Sequence, residues 1–395
     1  MEIRRIVILT LGVGAGHLRA SQAIHQALHD GADDIEARTV DALETARQWF
    51  LHLYVSPYWW MLRHAPWAWR NLFGWRQRKR HGATAPDWFF RLGCREVLKQ
   101  LRDFNPHLVI ATEVGAAELA ALGRREKWFN APILAVQTDF HTEPPWVKSE
   151  IDAYCVGSDQ AKFQLIGWGV SLNRIVTCGI PVDPAFALHF DRAELMRALG
   201  LDPKRPVVLV MGGGMGPTPL DEIIRSLELC EQPIQVIAVA GRDRLVRPRL
   251  DALRRQVALD LRVFGWIETI PELMGAADLL ITKPGGVSTS EAMAMGLPMI
   301  LTHPIPGVEE QHVKFLVQQG AAVAAETVSE IKSLVSNLLE SPERLEVLRR
   351  RARDAARPDA AYAVAQVARA LLEKSTFIDL LTAPLPSSGD SAYVM

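Results

Sequence analysis

At 395 residues the chain is too long for one ordinary domain and comfortable for two. Its 49% hydrophobic and 23% charged residues are a globular composition and exclude a largely disordered chain. The 44 basic and 45 acidic residues leave a formal charge of −1, which argues against a general nucleic-acid coat protein.

The first apolar run, residues 6–11, reads as a buried strand. A signal peptide is the weaker reading, because the run is short and breaks into glycines and His17 with no small-residue cleavage pattern. A helix over 18–28 and a strand over 35–40, ending at Asp41, come next. Further short apolar runs at 108–111, 133–138, 153–156 and 175–178 lack strict alternation, as suits parallel strands buried on both faces. The same grammar restarts at Arg205-Pro206. Strands are expected over 207–211, 235–240, 261–264, 279–282 and 299–302, with a helix over 270–277. Two successive units of this kind imply an α/β protein of two doubly wound domains, 1–195 and 196–375, with a loose tail over 376–395. No run of 18 apolar residues suggests a transmembrane helix. Cys94, Cys155, Cys178 and Cys230 form no CxxC pair and have no histidine at finger spacing. Reduced, mostly buried thiols in a cytosolic protein are expected, with neither a zinc site nor a disulfide framework.

One segment breaks the alternation. Between Trp49 and Trp88 lie seven of the eleven tryptophans. Between Arg63 and Arg102, ten Lys/Arg face only Asp87 and Glu96, a local charge of +8. Residues 1–195 carry 22 basic and 21 acidic side chains, so without this segment that half holds 12 against 19, or −7. Basic character is therefore concentrated. Interfacial tryptophans with Lys/Arg suit a peripheral membrane surface; a core of tryptophans with a solvated basic face, or an RNA-binding surface, is the alternative.

Four motifs carry possible chemistry. Gly12-Val13-Gly14-Ala15-Gly16-His17 follows the first strand and opens a helix, where glycines permit a tight turn and helix N–H groups are unpaired. It reads as a dinucleotide loop with Asp41 on a ribose, as a plain turn, or as a substrate loop. His17 would be a general base in the last case and a core or solvated histidine otherwise. Thr138-Asp139-Phe140-His141 ends another strand, with Trp146 beyond, where ligands sit in open parallel sheets; Asp139 and His141 are site candidates or turn residues. Gly212-Gly213-Gly214-Met215-Gly216-Pro217-Thr218 ends the first strand of the second unit, as a phosphate-facing turn or a structural one. Lys283-Pro284-Gly285-Gly286-Val287-Ser288-Thr289-Ser290-Glu291 is the most specific: its glycine turn at a helix start can hold a pyrophosphate, and Glu291 can accept from ribose hydroxyls.

With this run the sequence resembles the monogalactosyldiacylglycerol synthases and bacterial diacylglycerol glucosyltransferases, relatives of the GlcNAc transferase that makes lipid II. The resemblance covers about residues 5–370. It rests on Gly12 to His17 with Arg19-Ala20-Ser21, on Tyr54, Pro57, Trp60 and His64-Ala65-Pro66, and on Thr138-Asp139 with a downstream Trp. It continues through 152–158, Gly179-Ile180-Pro181-Val182, Gly212 to Gly216 and the Lys283–Glu291 turn. It implies the GT-B architecture, two Rossmann-like domains facing across a cleft, and inverting transfer of a hexose, galactose or glucose, from a UDP-sugar to the 3-hydroxyl of diacylglycerol. It implies no cofactor and no catalytic metal, the UDP-sugar being a substrate, and no nucleic-acid partner.

Carried onto matching positions, His17 is the base and Asp139 its partner. Gly285, Gly286 and Ser288 would face the donor diphosphate, and Glu291 its ribose; Gly213, Gly214, Gly216, Thr289, Glu309 and Glu310 would supply further donor contacts. The acceptor and an anionic membrane would meet Gly14, Gly16, Trp59, Trp60, Trp67, Trp69, Trp75, Arg76, Arg78, Lys79, Arg80, His141 and Trp146, placing the protein in the cytoplasm at the membrane's inner face. Two positions depart from the relatives. Val308 stands where they carry Gln in a Pro-Gly-Gln-Glu run, and His312 where they carry Asn downstream. Sugar choice is the property those departures touch. The alternatives are another lipid acceptor or UDP-sugar, a nicotinamide-dependent oxidoreductase using Gly12–Gly16 and Asp41, and a lipid-binding homologue without turnover.

Overall fold

The computed structural model describes residues 3–30, 34–78, 82–214 and 218–373. Two six-stranded sheets carry the chain. The first holds β1 (Arg4–Thr10), β2 (Ile35–Asp41), β3 (Leu108–Ala111), β4 (Ile133–Val136), β5 (Ala153–Val156) and β6 (Ile175–Thr177). The second holds β7 (Val207–Met211), β8 (Gln235–Val239), β9 (Asp260–Phe264), β10 (Leu279–Thr282), β11 (Met299–Leu301) and β12 (Ala322–Ala324). Their orders are β2-β1-β3-β4-β5-β6 and β12-β11-β10-β7-β8-β9, with every pairing parallel. Helices cover the faces. This is the two-domain α/β architecture the sequence implies.

The unbroken apolar runs have the expected cause: β3, β4, β5, β7, β8 and β10 are buried along their whole length. With water on neither face, no polar alternation is needed. Truncating a fully buried residue such as Ile8 or Leu209 to Ala costs about 2–5 kcal/mol. The expected strands at 133–138 and 235–240 stop at Val136 and Val239. β12 has no counterpart in the sequence reading, since three small residues in Ala-Val-Ala make too short a signal.

Both sheets reverse winding direction, the first between β1 and β3, its second and third strands, and the second at its centre, between β10 and β7. At such switch points the loops leaving the strands diverge and open a crevice at the carboxyl ends. The loops after β1, β3, β7 and β10 are those carrying Gly14, Glu113, Gly213 and Gly285. Two segments tie the halves together. Helix Arg192–Ala198, inside which the expected division at 195 falls, packs on Ile270–Ala276, and Arg192 Nη2 donates to Asp278 at 2.6 Å. Helix Ala360–Glu373 returns to the first sheet, where Ala361, Val364 and Ala368 join the core of Ile6, Ile24 and Leu108. The tail at 376–395 lies outside the described residues.

Candidate active site

Helix Ala15–His29 starts earlier than the expected 18–28, so Gly14 is its N-cap and His17 lies in its first turn. Ser21 Oγ, one turn on, donates to the His17 carbonyl at 2.8 Å and also meets Thr112 Oγ1 at 2.9 Å, fixing the histidine's backbone. Thr138 Oγ1 lies 2.8 Å from His17 Nδ1. Burial holds the imidazole below the usual histidine range, against the Asp139 carboxylate and a hydrogen bond to the Thr112 backbone. A neutral imidazole at the cavity wall is the form that can accept a proton near pH 7. Asp41 is spent on the loop itself: its Oδ1 accepts from Gly12 N at 2.9 Å and Leu43 N at 3.0 Å. It is not presented to a ribose, which removes the basis of the dinucleotide reading.

Across the crevice, Gly285 caps helix Gly286–Ala294. A Cβ on Gly286 would collide with the Thr138 carbonyl oxygen, and one on Gly214 with Ala15 Cβ. The glycines therefore let loops from opposite sheets meet backbone to backbone. The helix N–H groups left unpaired beside Gly285 and Ser288 face the cavity, where they favour an anion. Lys283 Nζ reaches Glu309 Oε1 at 2.5 Å, and Ile305 N donates to Glu309 Oε2 at 2.8 Å.

The cavity enclosed by these loops has a volume of about 580 Å³. A smaller one of about 60 Å³ adjoins it, sharing Ala15, Gly16, Gly213, Gly214, Val287 and Ser288. The smaller one holds Glu291, Ile267 and Trp266. Burial pushes the Glu291 carboxyl up to about 7, with Arg19 opposing from 3.3 Å. Arg19 and Arg242 both lie over the Trp266 ring, at 5.0 and 4.0 Å from its centroid.

The far wall of the large cavity comes from the tryptophan-rich segment. The chain is helical over Gln48–Phe50 and Ser56–His64, with a π-helical turn at Leu51–Val55 between them. Helix Pro66–Arg78 follows. Tyr54, Pro57, Tyr58, Trp59, Trp69 and Trp146 give an aromatic lining. Set into it are Arg76 and Glu143, paired at 3.4 Å. Arg76 Nε and Trp69 Nε1 are buried without hydrogen-bond partners among the described residues, and Arg76 Nη2 and Glu143 Oε2 have there only the ion-pair contact with each other. Glu113 joins them, caps helix Val114–Arg125 through Gly115 N and Ala116 N, and is pushed by burial to about 8.

A pair not anticipated as a unit lies beside the base. His312 is buried, with Nε2 3.3 Å from Asp139 Oδ1 and Nδ1 2.8 Å from the Pro284 carbonyl oxygen. Burial alone would raise Asp139, but His312, helped by His17 and His141, holds it below the usual carboxylate range.

The expected residues thus divide. His17, Asp139, Gly14, Gly16, Gly213, Gly214, Gly285, Gly286, Ser288, Glu309, Trp59, Trp69, Arg76 and Trp146 line the large cavity, and Glu291 the small one. Glu310 does not line either: its Oε2 accepts from Gly307 N at 3.0 Å to cap helix Val308–Gln318, and its Oε1 accepts from Arg70 at 2.5 Å. Thr289 also turns away, donating to the Gly285 carbonyl at 2.8 Å. His141 pairs with Gln164 at 2.5 Å. Trp60, Trp67, Trp75 and Arg78 are exposed on the outer surface. Gly216, Lys79 and Arg80 lie outside the described residues. Tyr58, Glu113 and Glu143 escaped the sequence reading, while Tyr54 and Lys283 stood in its motifs without a role at the site. Glu113 and Lys283 follow β3 and β10 as Asp139 follows β4 closely, so position after a strand end was the available signal.

Residues 17–182 match the family described as monogalactosyldiacylglycerol (MGDG) synthase, and residues 191–355 that described as glycosyl transferases group 1. A processive diacylglycerol beta-glucosyltransferase of Bacillus licheniformis is 30% identical over 270 residues, 66% of this chain and 68% of that one. Its Bacillus subtilis counterpart is 26% identical over 89% of this chain and 91% of that one. Among solved structures, Acinetobacter baumannii MurG superposes with a TM-score of 0.62 at 15% identity, covering 93% of this chain and 99% of that one. Anabaena HepE, in complex with UDP-glucose, gives 0.53 at 15% identity, covering 95% and 99%. The fold is that of these two-domain proteins.

Proposed function

The chain belongs to the family of monogalactosyldiacylglycerol synthases and diacylglycerol glucosyltransferases, and on that premise we propose that it transfers a hexose, glucose or galactose, from a UDP-sugar to the 3-hydroxyl of diacylglycerol at a membrane surface. The observation that carries this reading is one cavity in which a neutral buried histidine lies between a helix-N-terminal glycine turn and an aromatic wall. In this reading the diphosphate rests on the amides of the helix start at Gly286, Val287 and Ser288, since the Gly285 N–H is taken by the Lys283 carbonyl at 2.9 Å, and the nucleoside enters the smaller pocket, where Glu291 accepts from ribose hydroxyls. Occupying that pocket requires Arg19 to share or yield Glu291.

The acceptor hydroxyl gives its proton to His17 as its oxygen bonds to the anomeric carbon. The bond from that carbon to the β-phosphate oxygen breaks on the opposite side, so configuration inverts. With Nδ1 held by Thr138, Nε2 is the nitrogen that takes the proton. Negative charge gathers on departing UDP, where the helix dipole and amides stabilise it without reorganisation. No cofactor enters this scheme.

Among the described residues no helix is long and apolar enough to cross a membrane. Docking is assigned to Trp60, Trp67, Trp75 and Trp88, exposed at 59, 68, 48 and 56%. Rings of this kind with nearby basic residues suit the interface of an anionic leaflet, each cation contributing about 1 kcal/mol. This is the ground for placing the protein at the inner face of the membrane.

The test is transfer on diacylglycerol vesicles containing anionic lipid, with labelled UDP-glucose, UDP-galactose and UDP-GlcNAc supplied separately. Label in a glycolipid from glucose or galactose is the expected result; no label from either sugar sinks the reading. An acceptor already carrying a sugar is a second reading. It is favoured by Arg76 Nε and Trp69 Nε1, buried donors without a hydrogen-bond partner among the described residues, and by the Arg76–Glu143 ion pair beside them, because a pair of hydroxyls can meet both the donors and the carboxylate, whereas an ester carbonyl meets only the donors. Competition between diacylglycerol and its monohexosyl form separates the two.

A further inference from the structure

We propose that His312 is a positioning residue of the transfer reaction: a doubly protonated imidazole that neutralises Asp139 and so leaves His17 free to act as a neutral base. The proposal rests on the reading that His17 is the base.

Two acceptor oxygens face the two nitrogens of the His312 ring. The Pro284 oxygen is a carbonyl and can only accept, so Nδ1 at 2.8 Å carries a proton. Nε2 makes no hydrogen bond among the described residues but lies at ion-pair distance, 3.3 Å, from Asp139 Oδ1; an unprotonated Nε2 would set its lone pair against that carboxylate oxygen, so it carries the other. A ring with acceptors at both ends is an imidazolium. Its surroundings agree: burial disfavours the charge, yet Asp139, the Pro284 carbonyl and Glu309 outweigh that and raise its pKa above the ordinary value. Phe140 packs edge-on against the ring at 5.3 Å and 77°, and stacks in turn on Phe315 at 4.6 Å. The ring is therefore held on its edges by polar partners and on its side by an aromatic pair.

Its position gives this charge a consequence. Asp139 adjoins Thr138, whose hydroxyl contacts His17 Nδ1, and Pro284 precedes the Gly285-Gly286 turn. One side chain from helix Val308–Gln318 thus registers the base's neighbour against the anion-facing turn. The Asp139 carboxylate acts on His17 to raise its pKa. A positive partner on Asp139 weakens that pull, and burial then keeps His17 unprotonated. The other charged or titratable groups around the pair are His141, which faces Asp139 and His312, Glu143 and Tyr58, which face Asp139 from the aromatic wall, Glu309 one turn back on the His312 helix, and Lys283, which is occupied by Glu309. His141 is itself lowered to about 4, by burial first and then by His312, and stays neutral through the relevant range.

The test follows His17 itself. Histidine-labelled full-length protein is titrated by NMR as wild type, His312→Asn, Asp139→Asn and the double variant, with His17→Ala to assign the resonance. In His312→Asn the uncompensated carboxylate should move the His17 pKa up by about one pH unit. In Asp139→Asn it should move down, and in the double variant it should return close to wild type. In the transfer assay, the acid limb of the kcat profile should shift upward in pH for His312→Asn, with recovery of rate at higher pH. A His312→Asn protein that is folded by circular dichroism but shows an unmoved His17 overturns the proposal, as does a uniform loss of kcat with no shift in the limb. The NMR arm needs no substrate. Absence of transfer by the wild type would therefore count against the proposed reaction and leave the His312 result to stand or fall separately.

Discussion

The two walls of the cavity are made in opposite ways. The wall from the second sheet, with the loop that faces it after β1, is built of backbone. Gly14, Gly213, Gly285 and Gly286 bring amides close together, and its charges are paired, Lys283 with Glu309 and Arg19 with Glu291. The wall from residues 54–89 and the β4 loop is built of side chains. Its aromatic rings surround Arg76, Glu143 and Trp69, whose polar atoms include buried ones without partners. A diphosphate is the same on every nucleotide sugar, and amides at a helix start recognise it by geometry alone. In the proposed reaction the acceptor's head would be read by side chains, held ready at the cost of unsatisfied hydrogen bonds. Backbone sites leave glycine spacing in the sequence; side-chain sites leave little more than composition.

That contrast can be broken first at its junction. His17→Ala should cut kcat by about 10²–10⁴-fold while UDP binding by calorimetry stays within a few-fold of wild type. Near-normal turnover would remove His17 from the mechanism. On the backbone wall, Gly286→Ala must push the turn off the Thr138 carbonyl. A loss of UDP affinity of about tenfold or more should accompany its loss of turnover, and unchanged affinity would show that the turn does not hold the diphosphate.

On the side-chain wall the difference shows as a pH effect. Burial pushes the Glu113 carboxyl up to about 8 in the folded protein, against 4.5 for an ordinary glutamate. Between those values the folded protein keeps a proton that the unfolded chain has released, so stability falls as pH rises from 4.5 through 8. Glu113→Gln should flatten that part of the profile. Thermal melts at pH 6, 7.5 and 9 check this, and equal slopes in both proteins would contradict it. The smallest effect belongs to the outer surface. Trp60→Ala with Trp67→Ala should weaken binding to anionic vesicles several-fold without touching UDP affinity, and wild-type vesicle binding should fall with added salt. Vesicle binding equal to wild type would move the docking surface elsewhere.

Much of the scaffold was legible because burial on both faces leaves unbroken apolar runs, and the Gly285-Gly286 turn was legible because close backbone approach admits only glycine. Even so, neighbouring residues of one motif parted company: Ser288 faces the cavity and Thr289 does not, as the helical rotation between them dictates. Glu309 and Glu310 divided likewise, the second being drawn to Gly307 and Arg70. Arg76, placed by its sequence among membrane-facing cations, turns inward to Glu143.

The amino-acid sequence by itself determined the two parallel-stranded units, the glycine turns at their switch points and the candidacy of His17, all properties of local chain geometry and of which faces must avoid water. Only the tertiary structure decided the state of the titrating groups. His312 and Asp139 come from different halves of the chain, and Glu113, Glu143 and Arg76 from three separate elements. A charge's partner and its burial depend on distances in space, to which spacing along the chain is blind.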